Sequence, residues 1–317
     1  MATAEQIKSL LRSHFDNDSE RFLTISLQVA AHEARQGHSA LAEEIKALVE
    51  KNKSMRARVI ALLPDLSDLI LQAEPDTKLP ELIVSDPIKK RIIRLLKEYR
   101  QKAKIQQFGL SNRRKILISG PPGTGKTLTA SIIAGELNLP LNTILVDKLI
   151  TKYMGETAAK LRQIFEVIAR QKGVYLFDEF DAIGAERGRE NEVGEMRRVL
   201  NAFLQFIEHD QSDSFIIAAT NNSGILDKAL FRRFDDVLYY SLPEKEQIAQ
   251  LIKNRLGTFK GSYRLESVAT EISALSHSDI CQACDDAIKD AILEGNNKVG
   301  KELLLNMLKD RFDVYRQ

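Results

Sequence analysis

The chain has 317 residues, with 46 lysines and arginines against 44 aspartates and glutamates, a formal charge of +2. That length holds one large domain and smaller ones with ample apolar residues for a core, and so balanced a charge gives by itself no argument for a nucleic-acid partner. No run approaches the ~20 apolar residues of a membrane-spanning helix, the polar start lacks a signal-peptide core, and two cysteines, Cys281 and Cys284, exclude a disulfide framework and fit the reducing cytosol.

Residues 1–52 read as three short helices. Thr3-Ala4-Glu5-Gln6 is a capping box opening a helix whose Ile7, Leu10, Leu11 and Phe15 share a face. Residues 16–19 break it, a second helix aligns Phe22, Ile25 and Val29, and Gly37-His38-Ser39 turns into a third carrying Leu41, Ile45, Leu48 and Val49. So small a bundle has little core of its own, and docking to a substrate, an adaptor or the main body is the expected use. His32-Glu33 opens like a zinc-protease helix, but Gln36 stands where the second histidine must be, and His38 falls on the wrong face. Residues 53–80, broken by Pro64, Pro75 and Pro80, read as a linker.

From Glu81 the pattern alternates strands and helices. Apolar runs at 115–119, 141–146, 174–177, 215–219 and 236–240 are too short for helices and read as buried parallel strands. The expected fold is therefore an α/β sheet covered by helices on both faces, over residues 81–241. Beyond Pro243 no strand signal recurs, and residues 242–317 read as a small all-helical domain. Eleven basic residues between 88 and 115, among them Lys89, Arg94 and Arg113, face Glu98 alone in the same span. They read as a solvated helix face, with an anionic partner such as nucleic acid as the alternative.

Five segments carry chemistry. Residues 120–127, Gly-Pro-Pro-Gly-Thr-Gly-Lys-Thr, lie between a strand and a helix starting near Leu128. Gly120, Pro121, Pro122, Gly123, Thr124 and Gly125 form a loop able to wrap phosphates with backbone N–H groups, backed by a helix N-terminus. Lys126 would reach the β- and γ-phosphates, and the Thr127 hydroxyl would ligate Mg²⁺. Val174–Glu179 is a strand ending in two carboxylates: Asp178 suits Mg²⁺ and Glu179 suits activation of an attacking water. A third strand ends in Thr220-Asn221, where the amide is either a turn former or a hydrogen-bond partner of the γ-phosphate and the water. The pair Arg232-Arg233 is a surface ion-pair element or a source of cations for a phosphate bound by a neighbouring subunit. Lys152-Tyr153-Met154-Gly155 is an ordinary turn with a core tyrosine, or an adaptable apolar grip on extended peptide.

Together these segments resemble the AAA+ ATPases, in the subfamily that holds katanin, spastin and the membrane-bound AAA proteases. The resemblance covers residues 81–317 and rests on GPPGTGKT at 120–127, LFDEFDAIG at 176–184, AATNN at 218–222, LDKALFRRFD at 226–235 and LSHSDICQACDDAI at 275–288. It implies a P-loop sheet with a helical lid, ATP and Mg²⁺ at a subunit seam, and a hexameric homo-oligomer. Asn221 takes the sensor role, Arg232 and Arg233 are trans-acting fingers, and residues 152–155 form a pore loop, with 184–195 as a second pore-facing or merely solvated loop. The lid's usual Gly-Ala-Asp is His277-Ser278-Asp279 here, which puts His277 and Ser278 beside the nucleotide or leaves His277 as a helix cap; Leu128 completes the expected site. The implied activity is an ATP-hydrolysing machine that unfolds, remodels or disassembles proteins in the cytoplasm. The alternatives are a nucleic-acid-acting ATPase, or an ATP-gated regulator of a partner protease in a bacterial defence-type system. Cys281 and Cys284 have no second metal-ligand pair near them and read as core residues.

Overall fold

The computed structural model of the chain describes residues 3–15, 19–49, 66–152, 156–184, 190–222, 224, 228–272 and 274–314. The chain divides into two units, Met1–Asp68 and Leu69–Gln317.

The first unit contains α1 (Ala4–Phe15), α2 (Ser19–Arg35) and α3 (39–49). The expected cap closes, with Thr3 N donating to Gln6 Oε1 at 2.9 Å and Gln6 N to Thr3 Oγ1 at 3.3 Å. Ile25, Val29, Ala42 and Val49 are buried, whereas Ile7, Leu11, Leu41 and Leu48 are 46–67% exposed. Three short helices enclose too little interior to cover all their apolar stripes. Glu33 binds His38, Oε2 to Nδ1 at 2.7 Å, and among the described residues no cluster of three or more metal-ligating side chains exists.

The second unit is built on a six-stranded sheet in the order β1-β3-β4-β5-β2-β6. These strands are β1 (Ile70–Ala73), β2 (Lys115–Ser119), β3 (Leu141–Ile144), β4 (Val174–Phe177), β5 (Phe215–Thr220) and β6 (Asp236–Tyr239). All neighbours pair in parallel except β1, which runs antiparallel to β3 with Ile70 opposite Ile144. The five parallel strands coincide with the apolar runs of the sequence. β1 lies in the stretch read as linker, so part of that stretch is a sheet edge.

Both faces are covered, which explains the unalternated runs. On one face Ile116, Ile118, Leu176, Ile217 and Ala219 pack with Ile92 and Leu95 of α4 (Asp86–Arg100) and with Ile132 and Ile133 of α6 (Lys126–Leu137). On the other, Phe177 meets Phe165 of α8 (Thr157–Arg170) and Phe203 of α10 (Glu190–His209), with ring centroids 6.0 and 5.1 Å apart. Short helices α5 (Lys102–Gln106), α7 (Val146–Lys152), α9 (Asp181–Gly184) and α11 (Lys228–Phe231) fill the connections. After β6 come α12 (Lys245–Leu256), α13 (Leu265–Ala269), α14 (His277–Leu293) and α15 (Lys301–Val314). They share a separate apolar cluster that includes Leu251, Ile252, Val268, Ile280, Cys284 and Leu304, joined by Ile83.

Six of the eleven cations in the basic run form ion pairs within the chain. Arg91 pairs with Asp236, Arg94 and Arg113 with Glu98, Arg100 with Glu136, Lys102 with Asp213 and Arg114 with Asp210. No helix among the described residues is long and apolar enough to cross a membrane.

Candidate nucleotide site

In an open parallel sheet, ligands bind beyond the carboxyl ends of the strands, where the strand order reverses. Here β2 lies between β5 and β6, and its chain must cross over β5 and β4 to reach β3. The 120–127 loop leaves β2 at that point, Asp178 and Glu179 follow β4, and Asn221 follows β5 between them. A cavity of about 760 Å³ opens there, lined by residues 122–128, Asp178, Glu179 and Asn221 at one end.

The loop is shaped by two glycines. Gly123 and Gly125 have φ of +71° and +94°, a region that costs side-chain-bearing residues energy. A Cβ on Gly123 would also collide with the Ser276 hydroxyl. Gly125 caps α6 without any side-chain acceptor, so the first N–H groups of the helix are left for a ligand. Thr124 Oγ1 donates to Pro121 O at 2.7 Å and tightens the turn.

Lys126 is buried, and its Nζ donates to Gly120 O at 2.8 Å, Pro121 O at 2.9 Å and Asn221 Oδ1 at 2.7 Å. Burial lowers its proton affinity, while Asp178 and Asp181 raise it again. These neutral acceptors are what an anionic phosphate would outcompete. Thr127 Oγ1 donates to Asp178 Oδ2 at 2.7 Å. Two hard oxygens that close together fit Mg²⁺, which takes one or two protein ligands and completes its shell with water and phosphate. Glu179 sits at φ +51°, and its N–H bonds Asp178 Oδ1 at 2.9 Å. The backbone is thus held in a left-handed turn that separates the two carboxylates. Asp181 accepts from Asn221 N at 3.3 Å, fixing the strand end that presents the amide.

The opposite end of the cavity is lined by Glu81, Leu82, Ile83, Leu251, Asn254, Arg255, His277, Ser278 and Cys281. The sequence pointed to His277 and Ser278 alone among these. Ser276 is the cap of α14, its hydroxyl accepting from Asp279 N at 3.2 Å, so His277 is not the cap. Ser278 N donates to Gly123 O at 3.0 Å, tying α14 to the phosphate loop. Arg255 is engaged by Asp285, Nε to Oδ1 at 2.6 Å. Cys284 is buried in the helical cluster as expected, but the half-buried Cys281 lines the cavity.

The two arginines stand apart from this cavity. Arg232 is exposed and Arg233 donates to Glu208 Oε2 at 2.8 Å; neither lines this cavity. Tyr153, Met154 and Gly155 fall outside the described residues, and Lys152 is the last residue of α7.

Residues 116–242 match the family described as ATPase family associated with various cellular activities (AAA). The chain is 34% identical to a protein named Uncharacterized AAA family ATPase y4kL from Sinorhizobium fredii (strain NBRC 101917 / NGR234), over 98% of this chain and 96% of the relative. The chain belongs to the AAA family. Other relatives of this AAA ATPase match a shorter part. A Proteasome-activating nucleotidase of Methanoregula boonei is 32% identical over 64% of this chain and 49% of its own length. An ATP-dependent zinc metalloprotease FtsH 3 of Sphaerobacter thermophilus is 29% identical over 74% of this chain and 49% of its own. This chain therefore spans about half the length of those two relatives.

Proposed function

We propose that this AAA ATPase works as a ring of identical subunits, most simply a hexamer, that binds Mg·ATP at each seam and uses its hydrolysis to unfold or remodel protein substrates. Residues 81–241 are the large α/β subdomain and 242–317 the lid. Residues 1–52 recruit substrate or an adaptor, and the connection to the ATPase unit ends where β1 joins the sheet at Ile70. In this reading the 120–127 loop and Leu128 cradle the phosphates, and Lys126 neutralises the β- and γ-oxygens. Bound Mg²⁺, held by Thr127 and Asp178, would screen charge on the phosphates. Glu179 takes the proton of the attacking water, and Asn221 orients that water against the γ-phosphate. The strained turn at Glu179 and the Asp181 bond to Asn221 hold both groups in place beforehand.

The observation that carries the ring is a deficit of charge. The phosphate end of the cavity is lined by Lys126 but by no arginine of its own chain among the described residues. Arg232 and Arg233, away from their own cavity, suit the γ-phosphate of a neighbour. Tyr153 and Met154, with Lys152 and Gly155 beside them, are proposed to grip substrate at the ring axis. The names of relatives support a protein substrate and, for some, a coupled peptidase; a partner protease fits this chain as the separate supplier of hydrolysis. The internal pairing of the 91–114 cations lends little support to nucleic acid.

Mixing two inactive variants tests the seam. Lys126→Ala supplies intact fingers, and the Arg232→Ala/Arg233→Ala double variant supplies an intact phosphate loop. A randomly mixed ring should regain roughly a quarter of wild-type ATPase, because one seam in four joins the two intact halves. No recovery, in a mixture shown by sizing to co-assemble, rejects the trans role. Tyr153→Ala should keep ATPase activity and lose unfolding of a tagged substrate.

A further inference from the structure

Tyr240 meets the phosphate loop at both of its ends. It follows β6 directly, and its N–H donates to Ser119 O at 2.7 Å, just before the loop begins. Gly120 passes so close to it that a Cβ there would stand 2.4 Å from Tyr240 O. At the far end of the loop the Tyr240 hydroxyl lies 2.6 Å from Thr129 Oγ1, and both residues are buried. Thr129 Oγ1 in turn donates to Gly125 O at 2.9 Å, beside the helical bond from Thr129 N to the same oxygen. A threonine hydroxyl has one hydrogen. With that hydrogen on Gly125 O, the phenol is the donor to Thr129, and the donors run from Tyr240 to Thr129 to Gly125. Burial pushes the phenol up to about 12, which keeps its proton in place.

Gly125 O belongs to the peptide whose N–H is that of Lys126, the first N–H of α6. Hydrogen bonds accepted by a carbonyl draw charge through the amide and strengthen its N–H as a donor. Neither Tyr240 nor Thr129 lines the cavity. We infer that Tyr240 is a positioning residue of the nucleotide site: acting through Thr129, it orients and polarises the Gly125–Lys126 peptide and so tightens the binding of a triphosphate it does not touch. This inference rests on ATP lying in the cavity with its phosphates at the 120–127 loop and its base at the opposite end.

Thr129→Val and Tyr240→Phe each delete one hydroxyl at nearly constant shape. The test measures stability and Mg·ATP affinity in the wild-type chain, in each single variant and in the pair. Each single variant should bind Mg·ATP about fivefold more weakly. The pair should also lose about fivefold rather than about twenty-fivefold, because the two hydroxyls act as one unit. Stability should follow a different course. Thr129→Val orphans the buried phenol and should lower the melting temperature. Adding Tyr240→Phe should restore much of that loss, since two apolar groups replace a hydrogen-bonded pair at little cost. A merely structural contact would let affinity recover with stability in the pair, and that result overturns the inference. Should Thr129→Val fail to fold, Tyr240→Phe still decides, because a folded Tyr240→Phe chain with wild-type affinity also overturns it. A wild-type chain that binds no ATP removes the placement of the nucleotide as well; one that binds it with an affinity the variants do not move removes only the role of Tyr240.

Discussion

The two ends of the cavity are built in different ways. The phosphate end consists of residues contiguous in sequence or anchored at strand ends, and its key side chains are held in place: Lys126 by three oxygens, Thr127 by Asp178, and Asp181 by Asn221 N. The base end is assembled from a backbone segment at 81–83 and side chains on α12 and α14, with His277 unpartnered. One end is pre-arranged for a fixed chemical group, and the other is shaped by packing that tolerates exchange. The phosphate end should therefore be brittle to substitution and the base end forgiving.

The sharpest break should come from Glu179→Gln. It removes the proton acceptor without altering shape, so turnover should fall about a thousandfold while ATP affinity stays within about threefold; single-turnover hydrolysis and equilibrium binding separate the two. Lys126→Ala comes next. It deletes the buried cation, and ATP affinity should drop about a hundredfold, as read by displacement of a fluorescent nucleotide. Gly123→Ala probes the seam of the loop with α14. Its φ of +71° and the closeness of Ser276 should cost about 1–3 kcal/mol of stability and weaken ATP about tenfold, by denaturant titration and binding. Arg255→Ala, at the base end, should be the mildest. Its partly exposed pair with Asp285 contributes about 0.5 kcal/mol, and an ATP affinity changed by more than about threefold would show that the base end is as tightly specified as the phosphate end.

The same contrast separates what the sequence revealed from what it hid. The five parallel strands were legible because burial on both faces demands unbroken apolar runs such as Phe215-Ile216-Ile217-Ala218-Ala219. The phosphate loop was legible because only glycine suits positions 123 and 125 and only a cation suits 126. β1 was hidden: Ile70-Leu71-Gln72-Ala73 has Leu71 55% exposed, and its strand character comes from pairing with β3, some seventy residues away. Ile83, which lines the far end of the cavity, belongs to no motif that the sequence displays. Asp181 resembles an ordinary first-turn acid until its bond to Asn221 N is seen. In the first unit, periodicity showed helices but not which stripe lies inside, so Leu41 and Leu48 face solvent while Val49 does not.

Glu179 stores a debt in the backbone. Its φ of +51° suits glycine better than any residue with a side chain, and Glu179→Gly would return about 1 kcal/mol to the folded state. A library screened only for heat tolerance would thus drift toward discarding the very carboxylate proposed to fire the motor, and sturdier chains from such a screen should be idle ones.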